Sequence, residues 1–111
     1  MKTLEKHAPT QHPKWNRKWE TNSRGFTVIL IPKFGNHILG KWLASKMVKP
    51  NYRLSLDEVG TFVWQHCDGM KNVEEIANKM SKNFGSKVDP VHERLTLFFQ
   101  SLEKSKSITW V

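Results

Sequence analysis

Helix stop and start signals in the second half of the chain constrain its fold more than any other feature. Asp68-Gly69, Asn72, Gly85 and Asp89-Pro90 cut residues 55–105 into three short stretches, each with one apolar stripe at helical spacing. Such stripes have to be buried against one another or against a sheet. Ser55 and Glu58 have capping-box spacing and open the first predicted helix. Its stripe runs through Val59, Phe62, Val63 and His66 or Cys67, with Trp64 off the stripe and turned to the strands, and Gly69 ends it by taking the left-handed conformation. Asn72 and Glu75 open a second helix with Val73, Ile76, Ala77, Met80 and Phe84 on one face, stopped at Gly85. Asp89 as cap and Pro90 in the first turn open the third, whose core stripe is Val91, Leu95, Phe98, Phe99 and Leu102, fraying around Ser105. Ile108 to Val111 reads as a short closing strand.

Upstream the pattern changes to that of strands. Phe26 to Ile31 is almost continuously apolar, rich in β-branched residues, and stops at Pro32, the composition of an interior strand. Tyr52 to Leu56 alternates, with Tyr52, Leu54 and Leu56 on one face and Arg53 and Ser55 on the other. Between them, His37 to Ala44 fits a second strand, while the stretch to Met47 equally fits a helix. Residues 1–24 are polar and basic, contain Pro9 and Pro13, and hold no sustained period, so they read as an extended arm whose later part is pinned by Trp15 and Trp19. The expected class is therefore α+β: a three-stranded antiparallel sheet at the N-terminal side, then three helices, in the order of a winged helix-turn-helix variant. With 111 residues, one domain over 25–111 behind the arm is the natural division.

The formal charge of +8 is unevenly placed. Residues 1–24 hold six Lys/Arg against two acids, residues 25–54 five against none, and residues 55–111 seven against eight. The helical half is thus nearly balanced and the sheet half strongly basic, which favours an acidic partner on the sheet side. No apolar run approaches the ~20 residues that cross a bilayer. The N-terminus has lysines but no apolar stretch behind them, unlike a secretory signal. With a single cysteine, Cys67, set among apolar helix positions, the expectation is a buried thiol in a cytoplasmic protein.

Catalytic chemistry finds little support. His7, His12, His37, His66 and His92 have no metal-ligand spacing and no CxxC accompanies them. His66 and Cys67 are neighbours on a helix and point apart. Asp57-Glu58 and Glu74-Glu75 each sit at a helix start, where they complement the dipole. No glycine-rich phosphate loop is present. The reading is of a non-enzyme without cofactor or metal. The arm from His7 to Arg24, with two Trp among its cations, has the composition of a nucleic-acid contact, but a solvated tail explains it better.

Leu56-Asp-Glu-Val-Gly-Thr-Phe-Val-Trp64, Asp68-Gly69, Val73-Glu-Glu-Ile-Ala77, Glu93-Arg-Leu95 and Phe98-Phe99-Gln-Ser-Leu102, in that order and spacing, resemble the PqqD family over roughly residues 52–110. The Phe26 to Lys33 strand ending Ile-Pro-Lys is similar too. The resemblance implies a RiPP recognition element: a domain that binds the leader of a ribosomally made precursor peptide and presents it to a modifying enzyme, typically a radical S-adenosylmethionine enzyme, as in pyrroloquinoline quinone biosynthesis. It implies that the leader adds as a strand to the open sheet edge and packs against the third helix. On this chain the edge would be Tyr52, Arg53 and Leu54, and the wall Arg94, Leu97 and Ser101. The departures are the long basic arm and the stretched segment from Phe34 to Asn51, which leave the identity of the peptide open. The competing reading, a winged-helix DNA-binding regulator, needs cations at the start of the third helix, where Asp89, Pro90, His92 and Glu93 stand instead.

Overall fold

The structure, a computed structural model, describes residues 11–32 and 51–111. The segment read as strand or helix around His37 to Met47 lies outside the described residues. In chain order the elements are β1 (Pro13–Trp15), β2 (Trp19–Thr21), β3 (Thr27–Pro32), β4 (Asn51–Ser55), α1 (Glu58–Gln65), α2 (Val73–Phe84), a 3₁₀ turn (Gly85–Val88), α3 (Val91–Lys104) and β5 (Ile108–Trp110). The class is α+β with three helices, as the periodicities require.

The strands form two sheets, where the sequence pattern led us to expect one. β2, β3 and β4 make an antiparallel sheet in that order, and β1 pairs with β5 in a separate antiparallel pair. β3 is interior, as its apolar run demands, and its last residue is Pro32. Its first partner comes from the stretch read as an arm. Residues 13–15 and 19–21 are extended, but they are hydrogen-bonded into the folded body. Three-residue strands are too short to show a period, so composition alone could not distinguish them from a tail.

The arm is held for identifiable reasons. The backbone N–H of Trp15 donates to the carbonyl of Cys67 at 2.9 Å and that of Gly69 to Pro13 at 3.0 Å, so β1 lies between β5 and the turn after α1. Gly69 is in the left-handed region at φ 82°, and the Lys14 side chain lies close over it. Asn16 and Arg17 then serve the far end of α3. Asn16 donates from its backbone to Ser107 and from its amide to Lys106, and the Arg17 guanidinium donates to the Ser105 carbonyl at 3.2 and 3.3 Å. The last carbonyls of α3 itself are taken by the N–H groups of Ser105, Lys106 and Ser107, while Asn16 and Arg17 bond the carbonyls just beyond it and bring a cation to the negative end of its dipole.

Helix starts follow the cap chemistry with two corrections. Asn72 and Glu75 form the reciprocal capping box. For α1 the cap is Asp57, whose carboxylate accepts from Gly60 N–H at 2.8 Å; Ser55 is instead the last residue of β4, opposite Val28. Pro90, rather than Asp89, holds the cap position of α3, which begins at Val91.

The core takes Val73, Ile76, Ala77 and Met80 from the stripe of α2, Leu95, Phe99 and Leu102 from that of α3, and Ile29 and Ile108, while α1 contributes Val63 and the off-stripe Trp64, its stripe residues Val59 and Phe62 being only partly buried. Trp64 is fully buried and meets Trp19 edge-to-face at 5.5 Å and Trp15 at 6.5 Å, while the Trp15 indole N–H donates to the Trp64 carbonyl at 2.7 Å. Thr27 on β3 donates its N–H to the buried Thr61 hydroxyl at 2.9 Å, a second link from sheet to α1.

If β1 is part of the cooperative unit, Trp15→Phe, which keeps a ring but removes the indole donor, lowers stability by about 1 kcal/mol in urea unfolding. An unchanged midpoint would mean that the N-terminal strands do not contribute to the folded state.

Candidate functional site: a groove beside the open sheet edge

Among the described residues β4 is paired on one side only. Which of its backbone groups face outward follows from the register. The N–H of Leu56 donates to Thr27 at 2.9 Å, so 27 and 56 are a hydrogen-bonded pair. Antiparallel pairs alternate in type, so Ile29 with Leu54 and Ile31 with Tyr52 are also hydrogen-bonded pairs, while Leu30 with Arg53 and Val28 with Ser55 are not. Consistently, Leu30 sends its N–H the other way, to Lys18 at 2.9 Å. The backbones of Tyr52, Leu54 and Leu56 are thus used inside the sheet, and those of Arg53 and Ser55 point to the open edge. Pro32, opposite Asn51, has the parity of Leu30, so its missing N–H removes no bond between β3 and β4.

Side chains alternate in the complementary sense. Leu54 shares its face with Ile29 and Trp19, on the helix side, and Arg53 lies on the opposite face, where it forms an exposed ion pair with Glu20 of β2 across the central strand. Between the helix-side face of β4 and α3 runs a cavity of about 550 Å³, floored by Leu54, Leu56, Val59 and Gly60 and walled by Arg94 and Phe98. A shallower extension of about 1120 Å³ continues past Leu54, Leu97 and Ser101 towards Ile31 and Lys104. The two share Leu54, Leu97 and Ser101 and form one trench.

Of the six residues singled out from the sequence, the structure brings Leu54, Arg94, Leu97 and Ser101 together along this trench. Leu97 is 61% exposed, an apolar side chain standing on the rim of an apolar channel, and Arg94 is steadied by donating to the Lys87 carbonyl at 2.9 Å. Tyr52, 60% exposed, follows Leu54 on the same face but lines neither part of the trench. The Arg53 side chain is on the other face, so Arg53 offers the trench side only its backbone. Sequence reasoning missed Gly60 and Phe98 as groove residues. A Cβ at Gly60 would stand 3.2 Å from Leu56 and 3.3 Å from the Asp57 carboxylate, so the glycine relieves crowding at the entry to α1, and Phe98 lies beside it at an ordinary contact distance of 3.4 Å. The glycine inside the Leu56 to Trp64 helix start was the available signal.

No other group assembles into a reaction centre among the described residues. Cys67 is fully buried, its thiol 3.3 Å from the Val63 carbonyl, and burial, with Asp68 beside it, pushes the thiol far above the range in which it ionises. Asp57 and Glu75 are engaged as caps and Glu74 faces His92. The Asp68 carboxyl is held below its ordinary value, first by the Met70 N–H and then by Lys71. No group of three or more His, Cys, Asp or Glu that would hold a metal ion occurs among the described residues, and none of their helices is long and apolar enough to cross a membrane.

His66 is held below its ordinary value of 6.5, first by burial and then by Lys71 and Lys79. The unfolded chain therefore binds this proton more readily than the folded one, and stability declines as pH falls below about 6.5 towards the folded value. Urea midpoints measured between about pH 7.5 and about pH 5 are expected to fall less steeply in His66→Gln; identical slopes would remove His66 as a contributor.

The family model described as Coenzyme PQQ synthesis protein D (PqqD) matches residues 47–108, from before β4 to the start of β5. No curated protein matches, and no solved structure matches.

Proposed function

The chain belongs to the PqqD family, coenzyme PQQ synthesis protein D, and from that premise we propose that it is a non-catalytic docking module that takes the leader of a ribosomally synthesised precursor peptide as an added strand on β4. The single observation that carries this reading is the coincidence of an open strand edge with a trench along the same strand, apolar where it passes Leu54, Leu56 and Val59 and polar further out at Gln100, Glu103 and Lys104. Strand addition needs both: outward backbone groups for affinity and a side-chain channel for register. Here the backbone groups of Arg53 and Ser55 would bond the peptide, and alternate side chains of the peptide would enter the trench between Leu54 and Leu97, with Arg94 and Ser101 as its polar contacts. Tyr52 would cover the strand end.

The module would present the bound leader to a radical S-adenosylmethionine enzyme in the cytoplasm, leaving the chemistry to that partner. The peptide-binding domain in this proposal is the winged-helix-like unit of residues 25–111, with the short strands of the preceding arm docked on it. An acidic leader suits the basic sheet half. The DNA-binding alternative is weakened by the start of α3, where Asp89 and Glu93 are joined by Glu74, drawn in by His92 at 3.1 Å. Phosphates would meet three carboxylates there.

The test is an amide NMR titration with the precursor peptide encoded beside this protein, repeated with three variants and with a random DNA duplex. Saturable shifts at 52–56 and 91–102 are expected from peptide and not from DNA. Arg53→Pro removes an outward N–H while sparing the bonds to β3, and is expected to weaken binding by about tenfold or more in a folded protein. Arg53→Ala keeps the N–H and retains affinity, whereas Leu54→Pro breaks the sheet itself. Equal affinities for Arg53→Pro and Arg53→Ala would sink strand addition at this edge.

A further inference from the structure

A second concavity, of about 360 Å³ and sharing no lining residue with the trench, is framed by Phe62 of α1 and His66 at its end and by Lys79, Lys82 and Asn83 of α2. Aromatic rings line its base. Phe62 meets the His66 ring at 4.7 Å and Phe84 at 5.3 Å, both edge-to-face, and all three are half-buried. Lys79 and Lys82, three residues apart, rise on the same side of α2.

The cations of this notch are not neutralised. Among the described residues, Asp68 is paired with Lys71, Glu74 with His92, and Glu75 accepts from the Asn72 N–H, while neither Lys79 nor Lys82 has an acidic partner. The depressed proton affinity of His66, to which Lys71 and Lys79 contribute after burial, is a separate mark of the positive field there. An apolar base with two unpaired ammonium groups on its rim suits a short segment carrying both an apolar or aromatic side chain and carboxylates. An extended polyanion suits it less, because on the same helix it would run on to Glu74 and Glu75.

We propose that the Phe62–Lys79–Lys82 notch docks an Asp/Glu-bearing segment of a protein partner, with an aromatic side chain seated on Phe62. Only the identity of that partner, the modifying enzyme, rests on the peptide-docking reading; the site does not. Leader and enzyme would then occupy separate surfaces of one small domain at the same time.

The probe is an acetylated, amidated pentapeptide of Glu and Asp around a central Phe, titrated into the full chain at low salt and followed by amide NMR. Saturable shifts at 62, 66, 79, 82 and 83 are expected, weakening at least about tenfold in the exposed-site double variant Lys79→Glu/Lys82→Glu. The same variant is then titrated with the precursor peptide. Unchanged shifts at 52–56 and 91–102 would keep the trench reading separate from this one. Absence of saturable notch shifts, or shifts that survive charge reversal, overturns the proposal, as does tighter binding of duplex DNA at the same residues.

Discussion

The indole of Trp64 is the contact on which both sheets depend. It packs from α1 against the contacting pair of Trp15, which belongs to the two-stranded pair, and Trp19, which belongs to the three-stranded sheet. Burying a ring of this size supplies a large share of the apolar contact available to so small a core. Without it, β1 and β2 would be three-residue strands with little to hold them. The Trp15 donor to the Trp64 carbonyl fixes the position of that contact, and Asn16 and Arg17, carried along by it, complete the end of α3.

That arrangement determines where the sheet is closed and where it is open. β2 covers one side of β3, and the turn through β1 takes the chain away to the far end of α3. β4 keeps its outer edge, and Phe98 of α3 lines the cavity beside it together with Leu54 and Gly60. Edges of this kind are usually shortened, charged or covered because they invite pairing with other chains. Here the edge is short and carries Arg53, whose side chain is drawn to the outer face by Glu20.

Legibility in the sequence followed the length of each element. The three helices span eight to fourteen residues, long enough for a period to register, and Asn72, Gly85 and the stripe of α3 were placed from it. Ser55 misled because Ser and Asp both accept from a helix N-terminus, and only the strand register shows that Ser55 is already committed to β4. Trp15 and Trp19 signalled that the later part of the arm is pinned, because two large rings are costly to leave in water, but three-residue strands show no period from which β1 and β2 could be read. The trench was visible in part. Leu97 came from the family resemblance, whereas Gly60 and Phe98 belong to ordinary helix patterns and acquire a role only where both line the cavity beside β4.

The alternation along β4 separates two jobs that most binding sites mix. Residues of one parity contribute backbone groups, which every amino acid except proline possesses in identical form. Residues of the other parity contribute the side chains that line the channel. Under the proposed strand addition, a change at Leu54, or across the trench at Leu97, would alter which sequences fit while leaving the means of attachment untouched. A lineage of such domains would then drift from one peptide to another through single substitutions, none of which needs to pass through a form that has lost its hold.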